Sequence, residues 1–243
     1  MSRSRSRSRI RSIDMIAAGV HFVEGPASNW VVLTGDGSAT LIDAGYPADI
    51  DLVEQSLHEV AGPVPLRAVA ITHGHSDHIG GVNELVRRHP GAVVLAATAE
   101  IPNIRREVLE QVGLRDLVPH LWRPRVVSWA FRAVWAGGLA DVGVHRVEAV
   151  PTDRSIDLSG HEVRAFAASG HTSGHTCFRL VGENVIVTGD ALVTGHPTSP
   201  RRGPQPLPGL FHHDRAHAAE AFEWLSATDA VALLPGHGPV HRR

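Results

Sequence analysis

The 243-residue sequence contains one cysteine, one tyrosine and no lysine. With Cys177 alone no intramolecular disulfide can form, as is usual for proteins of a reducing compartment. No apolar run approaches the roughly 18 to 20 residues needed to cross a bilayer. Residues 1–12 alternate serine and arginine without the apolar stretch of about 7 to 15 residues that a secretory signal requires. Export is therefore not expected, and a cytoplasmic location is. The missing lysine leaves all 23 basic residues as arginine, from which no function follows. A strong net charge is also missing, the formal value being −2. Arg3, Arg5, Arg7, Arg9 and Arg11 lie in the tail, however, so the remainder carries about −7. The tail reads as disordered. Its charge would suit nucleic acid, but an acidic body argues against a basic groove, and nucleic acid is not an expected partner.

Hydrophobic residues make up 43% and charged residues 20%, an ordinary globular composition. The length fits one large domain over 13–243, with an insertion. Ile16–Val23 and Trp30–Ile42 read as strands, the second broken by the hairpin signal Gly35-Asp36-Gly37. Ile50, Val53, Leu57 and Val60 recur at helical spacing up to Gly62-Pro63. Arg67–Thr72 reads as a buried strand, Gly80–Arg88 as a helix and Ala92–Ala97 as a further strand. From about 99 to 138 the pattern turns helical, with Ile104, Val108, Leu109 and Val112 on one face. Three of the five tryptophans, Trp122, Trp129 and Trp135, fall there, so this insertion either packs on the core or lines an apolar pocket. Strands resume over Val144–Val150, around a hairpin at Ser159-Gly160, and over Cys177–Thr188. The five prolines of residues 195–213 predict an irregular loop too polar for the core. Asp214 then caps a helix, and Val231–Leu234 forms a last strand into Pro235-Gly236-His237.

His73-Gly74-His75-Ser76-Asp77-His78 follows a strand end and puts four potential metal ligands within six residues. Fewer than about one in a hundred shuffled chains of this composition would contain that pattern. Chance is a poor explanation, and so is a surface run of histidines.

The hexapeptide resembles the signature of the metallo-β-lactamase superfamily, and the other motifs of that family appear in order. Leu41-Ile42-Asp43-Ala44-Gly45 resembles the first, Gly170-His171-Thr172 the third, Thr188-Gly189-Asp190 the fourth and Pro235-Gly236-His237-Gly238 the last. The resemblance implies an αβ/βα four-layer sandwich, two mixed sheets face to face with helices outside. It implies that His73, His75 and His171 bind one metal, that Asp77, His78 and His237 bind a second, and that Asp190 bridges them. Two zinc ions per chain are expected, iron and manganese suiting the same ligands. Asp77, itself a ligand, and Asp43, which would orient a ligand imidazole, are the residues assigned to the catalytic step. The implied nucleophile is a hydroxide held between the metals, so no serine or cysteine nucleophile is needed.

The residues around these motifs narrow the substrate. Zinc β-lactamases that share the hexapeptide generally lack the bridging aspartate, which this chain has as Asp190. Acyl-homoserine lactonases carry a tyrosine shortly after that aspartate, where Ala191, Leu192 and Val193 stand. Glyoxalase II proteins continue into a basic helical segment, whereas this sequence ends six residues after His237. The expected activity is hydrolysis of an ester, thioester or lactone of a small, partly apolar molecule, by a monomer or homodimer. A mononuclear iron persulfide dioxygenase, a β-lactamase and a nuclease are the alternatives. His175 is expected to support the site without binding metal. His196, His212, His213 and His217 read as surface histidines, and Tyr46 as a turn residue.

Overall fold

The structure is a computed structural model that describes residues 9–243. Most of the Arg/Ser tail lies outside the described residues. Its last part does not stay apart from the domain: the Arg11 N–H donates to the Glu24 carbonyl at 2.8 Å, and Ser12 opens the first strand.

Two mixed sheets make the centre. The first holds seven strands in chain order: β1 (Ser12–Ala17), β2 (Val20–Glu24), β3 (Asn29–Gly35), β4 (Ser38–Ile42), β5 (Leu66–Ala70), β6 (Val93–Ala96) and β7 (Glu148–Ala149). It is antiparallel through β4 and parallel from β4 to β7. The second holds β8 (Ile156–Leu158), β9 (His161–Ala167), β10 (Thr176–Leu180), β11 (Val185–Gly189), β12 (Ala232–Pro235) and β13 (His241–Arg242). Only β11 and β12 pair in parallel there.

Strand alternation creates the layers. In β3, Trp30 and Val32 face the helices α1 (Ile50–Ala61) and α3 (Val82–Arg88), while Val31 and Leu33 meet Phe178 and Leu180 of the other sheet. In β11, Val185 and Val187 face inward, and Ile186 packs outward with Leu225 of α7 (Arg215–Ala227). The expected four-layer sandwich of two mixed sheets flanked by helices is therefore the observed fold. No helix among the described residues is long and apolar enough to cross a membrane.

Local signals account for most boundaries. Asp36 and Gly37 both take positive φ (47° and 66°), the two-residue turn that matches strand twist, and Ser159-Gly160 repeats it (54° and 81°). The Asp214 carboxylate caps α7 by accepting the N–H groups of Ala216 and His217 at 2.8 and 3.1 Å.

Several expectations are corrected. Ile16–Val23 is a hairpin rather than one strand, because Gly19 turns the chain at φ 74°. The helix expected from Gly80 is preceded by a separate turn, α2 (Ser76–Ile79), within the histidine motif itself. Strand β7 covers only two residues of the expected 144–150 run. The insertion between β6 and β7 carries α4 (Ile101–Ile104), α5 (Leu114–Leu117) and α6 (Pro124–Trp135), but no helix joins Ile104 to Val112. Arg106 breaks it by taking φ 63° while its guanidinium donates to the Gly74 carbonyl at 2.7 Å. The proline-rich loop is not wholly outside the core, since Val193, Leu207 and Phe211 form a small buried cluster against Trp129.

Candidate metal centre

Parallel pairing brings strand ends together, so β4 and β5 deliver Asp43 and His73, and β11 and β12 deliver Asp190 and His237, to one edge of the sandwich. The loop between β9 and β10 adds His171, and α2 turns Asp77 and His78 inward. All seven residues expected to bind metal converge there. His73, His75, His171 and Asp190 form one group and Asp77, His78 and His237 a second, the candidate ligand atoms of each group lying within 4.8 Å of one another. Asp190 faces both groups. Its Oδ1 lies 3.5 Å from His78 Nε2, and its Oδ2 lies 3.4 Å from His171 Nε2 and 3.3 Å from His237 Nε2.

The nitrogen of each imidazole that points away from the site decides what the other can do. His75 Nε2 is held by the Glu110 carbonyl, His78 Nδ1 by Asp43 Oδ2 at 2.8 Å, and His237 Nδ1 by the Ala27 carbonyl at 2.8 Å. Thr72 donates its hydroxyl to Asp43 Oδ2 at 2.7 Å, leaving an oxygen lone pair for His73 Nδ1–H at 3.0 Å. In all four rings the inward nitrogen is therefore the one that can offer a lone pair to a cation once it carries no proton. His171 Nε2 sits only 3.2 Å from His73 Nε2 and 3.0 Å from His75 Nδ1, too close for N–H groups to face each other. Buried His78 Nε2 and Asp190 Oδ1 have no hydrogen-bond partner among the described residues. A cation satisfies all of these atoms at once, so the residues present fit a metal.

Protonation follows the same geometry. Burial holds His73 and His171 well below 6.5, with the neighbouring imidazoles adding to it, so both are neutral as ligands must be. Burial opposes charge on His78 as well, but Asp77, Asp43 and Asp190 outweigh it and raise the ring to about 9. Burial likewise opposes the charge on Asp77, and His78 and His237 overcome it and lower the carboxyl to about 2. Protons stand where a cation would otherwise neutralise the carboxylates.

Asp43 lies behind the candidate ligand His78, hydrogen-bonded to its Nδ1. Besides His78 it accepts the Thr72 N–H at 2.8 Å, and its own backbone is left-handed, with φ 64°. Such a backbone costs roughly 1–3 kcal/mol and persists only where the surroundings enforce it. Gly236 is fixed for a different reason: a Cβ there would lie 2.2 Å from Asp190 Oδ1. His175 stays outside both ligand groups and accepts the Asp190 N–H at 3.0 Å.

Other residues of the site were missed in the sequence. Buried Glu100 accepts from Gly74 N–H at 2.7 Å, Asn103 Nδ2 at 2.7 Å, Thr172 Oγ1 at 2.8 Å and Gly174 N–H at 3.1 Å, joining two ligand loops. His196, read as a surface residue, is buried with its ring 4.9 Å from that of His237, and burial drops it to about 3. Nothing in its immediate sequence, between Gly195 and Pro197, marked it as buried. Cys177 is buried and its thiol pushed up by desolvation, which removes it as a nucleophile.

A cavity of about 670 Å³, counted to its open mouth, leads to both ligand groups. Its apolar wall comes from the insertion and the proline-rich loop, with Val112, Leu117, Trp129, Leu207 and Phe211. Of the insertion's tryptophans only Trp129 turns inward; Trp122 and Trp135 are 74% and 63% exposed. Tyr46 lines the same cavity.

Comparison with known proteins agrees with this geometry. A probable metallo-hydrolase of Bacillus subtilis, YflN, is 28% identical over 242 residues, covering 94% of this chain and 83% of the relative. A hydroxyacylglutathione hydrolase of Halorhodospira halophila is 30% identical over 202 residues, covering 72% and 77%. A metallo-beta-lactamase of Cronobacter sakazakii with a HARLDQ motif superposes with a TM-score of 0.64 at 21% identity, over 96% of this chain and 80% of that one, which shows a shared fold. The profile of the metallo-beta-lactamase superfamily, a metal-dependent group, matches residues 23–237 and so spans every one of the converging loops. With relatives named as hydrolases along nearly its whole length, this chain is a hydrolase that belongs to the metallo-beta-lactamase superfamily.

Proposed function

We propose that the protein is a dinuclear zinc hydrolase acting on a thioester, ester or lactone with an apolar acyl group. The observation that carries this reading is the apolar cavity opening directly onto two ligand groups with Asp190 between them. Bound zinc would polarise the substrate carbonyl and bring the pKa of water from 15.7 toward about 7. His73, His75 and His171 would hold one ion, Asp77, His78 and His237 the other, and Asp190 both. Asp43 keeps the lone pair of His78 turned inward through its hydrogen bond to Nδ1. Trp129, Leu207 and Phe211 bind the acyl chain and exclude water around the carbonyl. Among the three substrate types, the hydroxyacylglutathione hydrolase relative favours the thioester.

The test joins metal analysis to a substrate panel. Protein purified without added metal should hold about two zinc ions per chain and turn over an acyl thioester faster than a lactone, a β-lactam or a phosphodiester. Trp129→Ala should raise KM more for long acyl chains than for acetyl. A single tightly held iron with persulfide-dependent oxygen uptake would overturn the hydrolytic reading, and full activity in Asp190→Ala would overturn the site.

A further inference from the structure

A second cleft, about 940 Å³ to its open mouth, lies on the other side of His196 and His237. Arg11, Arg125, Arg132, Arg201 and Arg202 line it, drawn from the lead into β1, from α6 and from the proline-rich loop. Glu24 is the single acid on its wall and is committed to Arg11 at 3.0 Å. Arg132 reaches back to Ser128 of its own helix. Arg125, Arg201 and Arg202 have no carboxylate partner among the described residues, and residues 1–8 contain no acid that could supply one.

Four guanidinium groups of the body, joined by Arg11 of the tail, against one carboxylate stand out in a body whose net charge without the tail is about −7. Like charges gathered from three chain segments repel, and an anion in the cleft would offset that repulsion. Arginine forks also match phosphate oxygens two at a time. The cleft is concave and reaches His237 of the candidate metal centre, which suits a small anionic ligand. His196 and His237 line both this cleft and the apolar cavity, so one ligand can cross the metal centre with an apolar end on one side and an anionic end on the other.

We infer that the arginine cleft binds the phosphate-bearing half of an acyl thioester or ester whose acyl half lies in the apolar cavity. This rests on the hydrolase reading for the reaction, while the anion site itself stands on the arginines.

The experiment compares one acyl group on two thiols, hexanoyl-coenzyme A and hexanoyl-N-acetylcysteamine, in the metal-loaded enzyme and in an Arg201→Glu/Arg202→Glu variant. Binding of adenosine 3′,5′-bisphosphate is measured on both proteins by calorimetry. The wild type should favour the coenzyme A ester in kcat/KM. The double variant should lose about tenfold of that preference through KM, and added salt should erode the wild-type preference in the same way. Both arginines are exposed, so the melting temperature should be the same and folding does not confound the result. If the two thioesters are hydrolysed equally well by both proteins and the bisphosphate does not bind, the cleft assignment is wrong while the hydrolase reading survives. If neither thioester is hydrolysed but the bisphosphate binds with arginine- and salt-dependent affinity, the anion site stands and the hydrolase reading fails. Tighter binding of an oligonucleotide than of the bisphosphate through the same arginines would also overturn the inference.

Discussion

Glu100 holds Gly74: one carboxylate oxygen accepts the Gly74 N–H at 2.7 Å, while the other accepts Thr172 Oγ1 at 2.8 Å. A single side chain from the insertion thus locks the loop between His73 and His75 to the loop that follows His171. Glu100→Ala would leave four donors without their acceptor, each at a cost of roughly 1–3 kcal/mol where water does not reach. Positioning contacts of this kind typically govern metal affinity by about 10- to 100-fold. Competition with a zinc chelator should show a loss of that size in Glu100→Ala, and a smaller one in Glu100→Gln, which keeps one acceptor. Unchanged zinc affinity in the alanine variant would show that the loops hold themselves.

Metal removal should cost stability more than it changes shape. Without a cation the centre keeps unpartnered Asp190 Oδ1 and His78 Nε2 in a buried place. A ligand present at about 1,000 times its Kd stabilises the folded state by ~4 kcal/mol. Chelation should therefore lower the melting temperature by several degrees, and zinc should restore it. The far-UV spectrum should stay the same, because Asp43, Glu110 and Ala27 hold the imidazoles from outside the site.

The metal centre was far more legible in the sequence than the walls around it. Residues able to hold a metal are particular types at strand ends, so His73, His75, Asp77, His78, His171, Asp190 and His237, which the fold brings together, could be named from local motifs, and Asp43 with them. The sheets were legible for a related reason: alternation along β3 and turns such as Asp36-Gly37 are local. Glu100 was invisible because nothing near it in sequence marks a buried carboxylate, its role arising from donors on Gly74 and Thr172 far along the chain. The apolar periodicity from Ile104 to Val112 suggested a helix, yet contacts of Arg106 with the histidine loop override it. His196 looked like a surface residue among prolines, and only the fold placed Phe211 and Trp129 over it.

Asp49 should give the protein a stability term that weakens as pH rises. Burial lifts its carboxyl from 3.8 to about 6, against the hydrogen bond it accepts from the Tyr46 N–H. A folded-state value above the unfolded one means that the contribution is complete below about 3.8 and lost as pH climbs through about 6. The displacement corresponds to at most ~3 kcal/mol. Asp49→Asn keeps an acceptor for Tyr46 without the charge. The stability of the wild type relative to Asp49→Asn should therefore fall between pH 4 and pH 7, as read from denaturant midpoints at each pH, and a flat difference would refute the assignment.

Tyr46 supplies the cavity with a hydroxyl that the fold does not use. Its ring is 5% exposed and packs against the Gly138 backbone, yet the hydroxyl makes no hydrogen bond among the described residues. Burial, with Asp77, Asp49 and Asp190 adding to it, pushes the phenol well above 10, so it remains a proton donor at any pH where the enzyme would work. The lactonase-type tyrosine that the sequence lacks after Asp190 thus has a counterpart reaching the same cavity from the loop after Asp43. A donor aimed at a developing oxyanion is worth more in the transition state than in the ground state, so its removal lowers kcat rather than raising KM. Tyr46→Phe should cut kcat by about 10- to 100-fold, with KM within about threefold and zinc content unchanged. Phenylalanine keeps the ring in place, so a kcat within twofold of wild type would mean that the hydroxyl never meets the substrate, and a loss of zinc would mean that it serves the ligand loops instead.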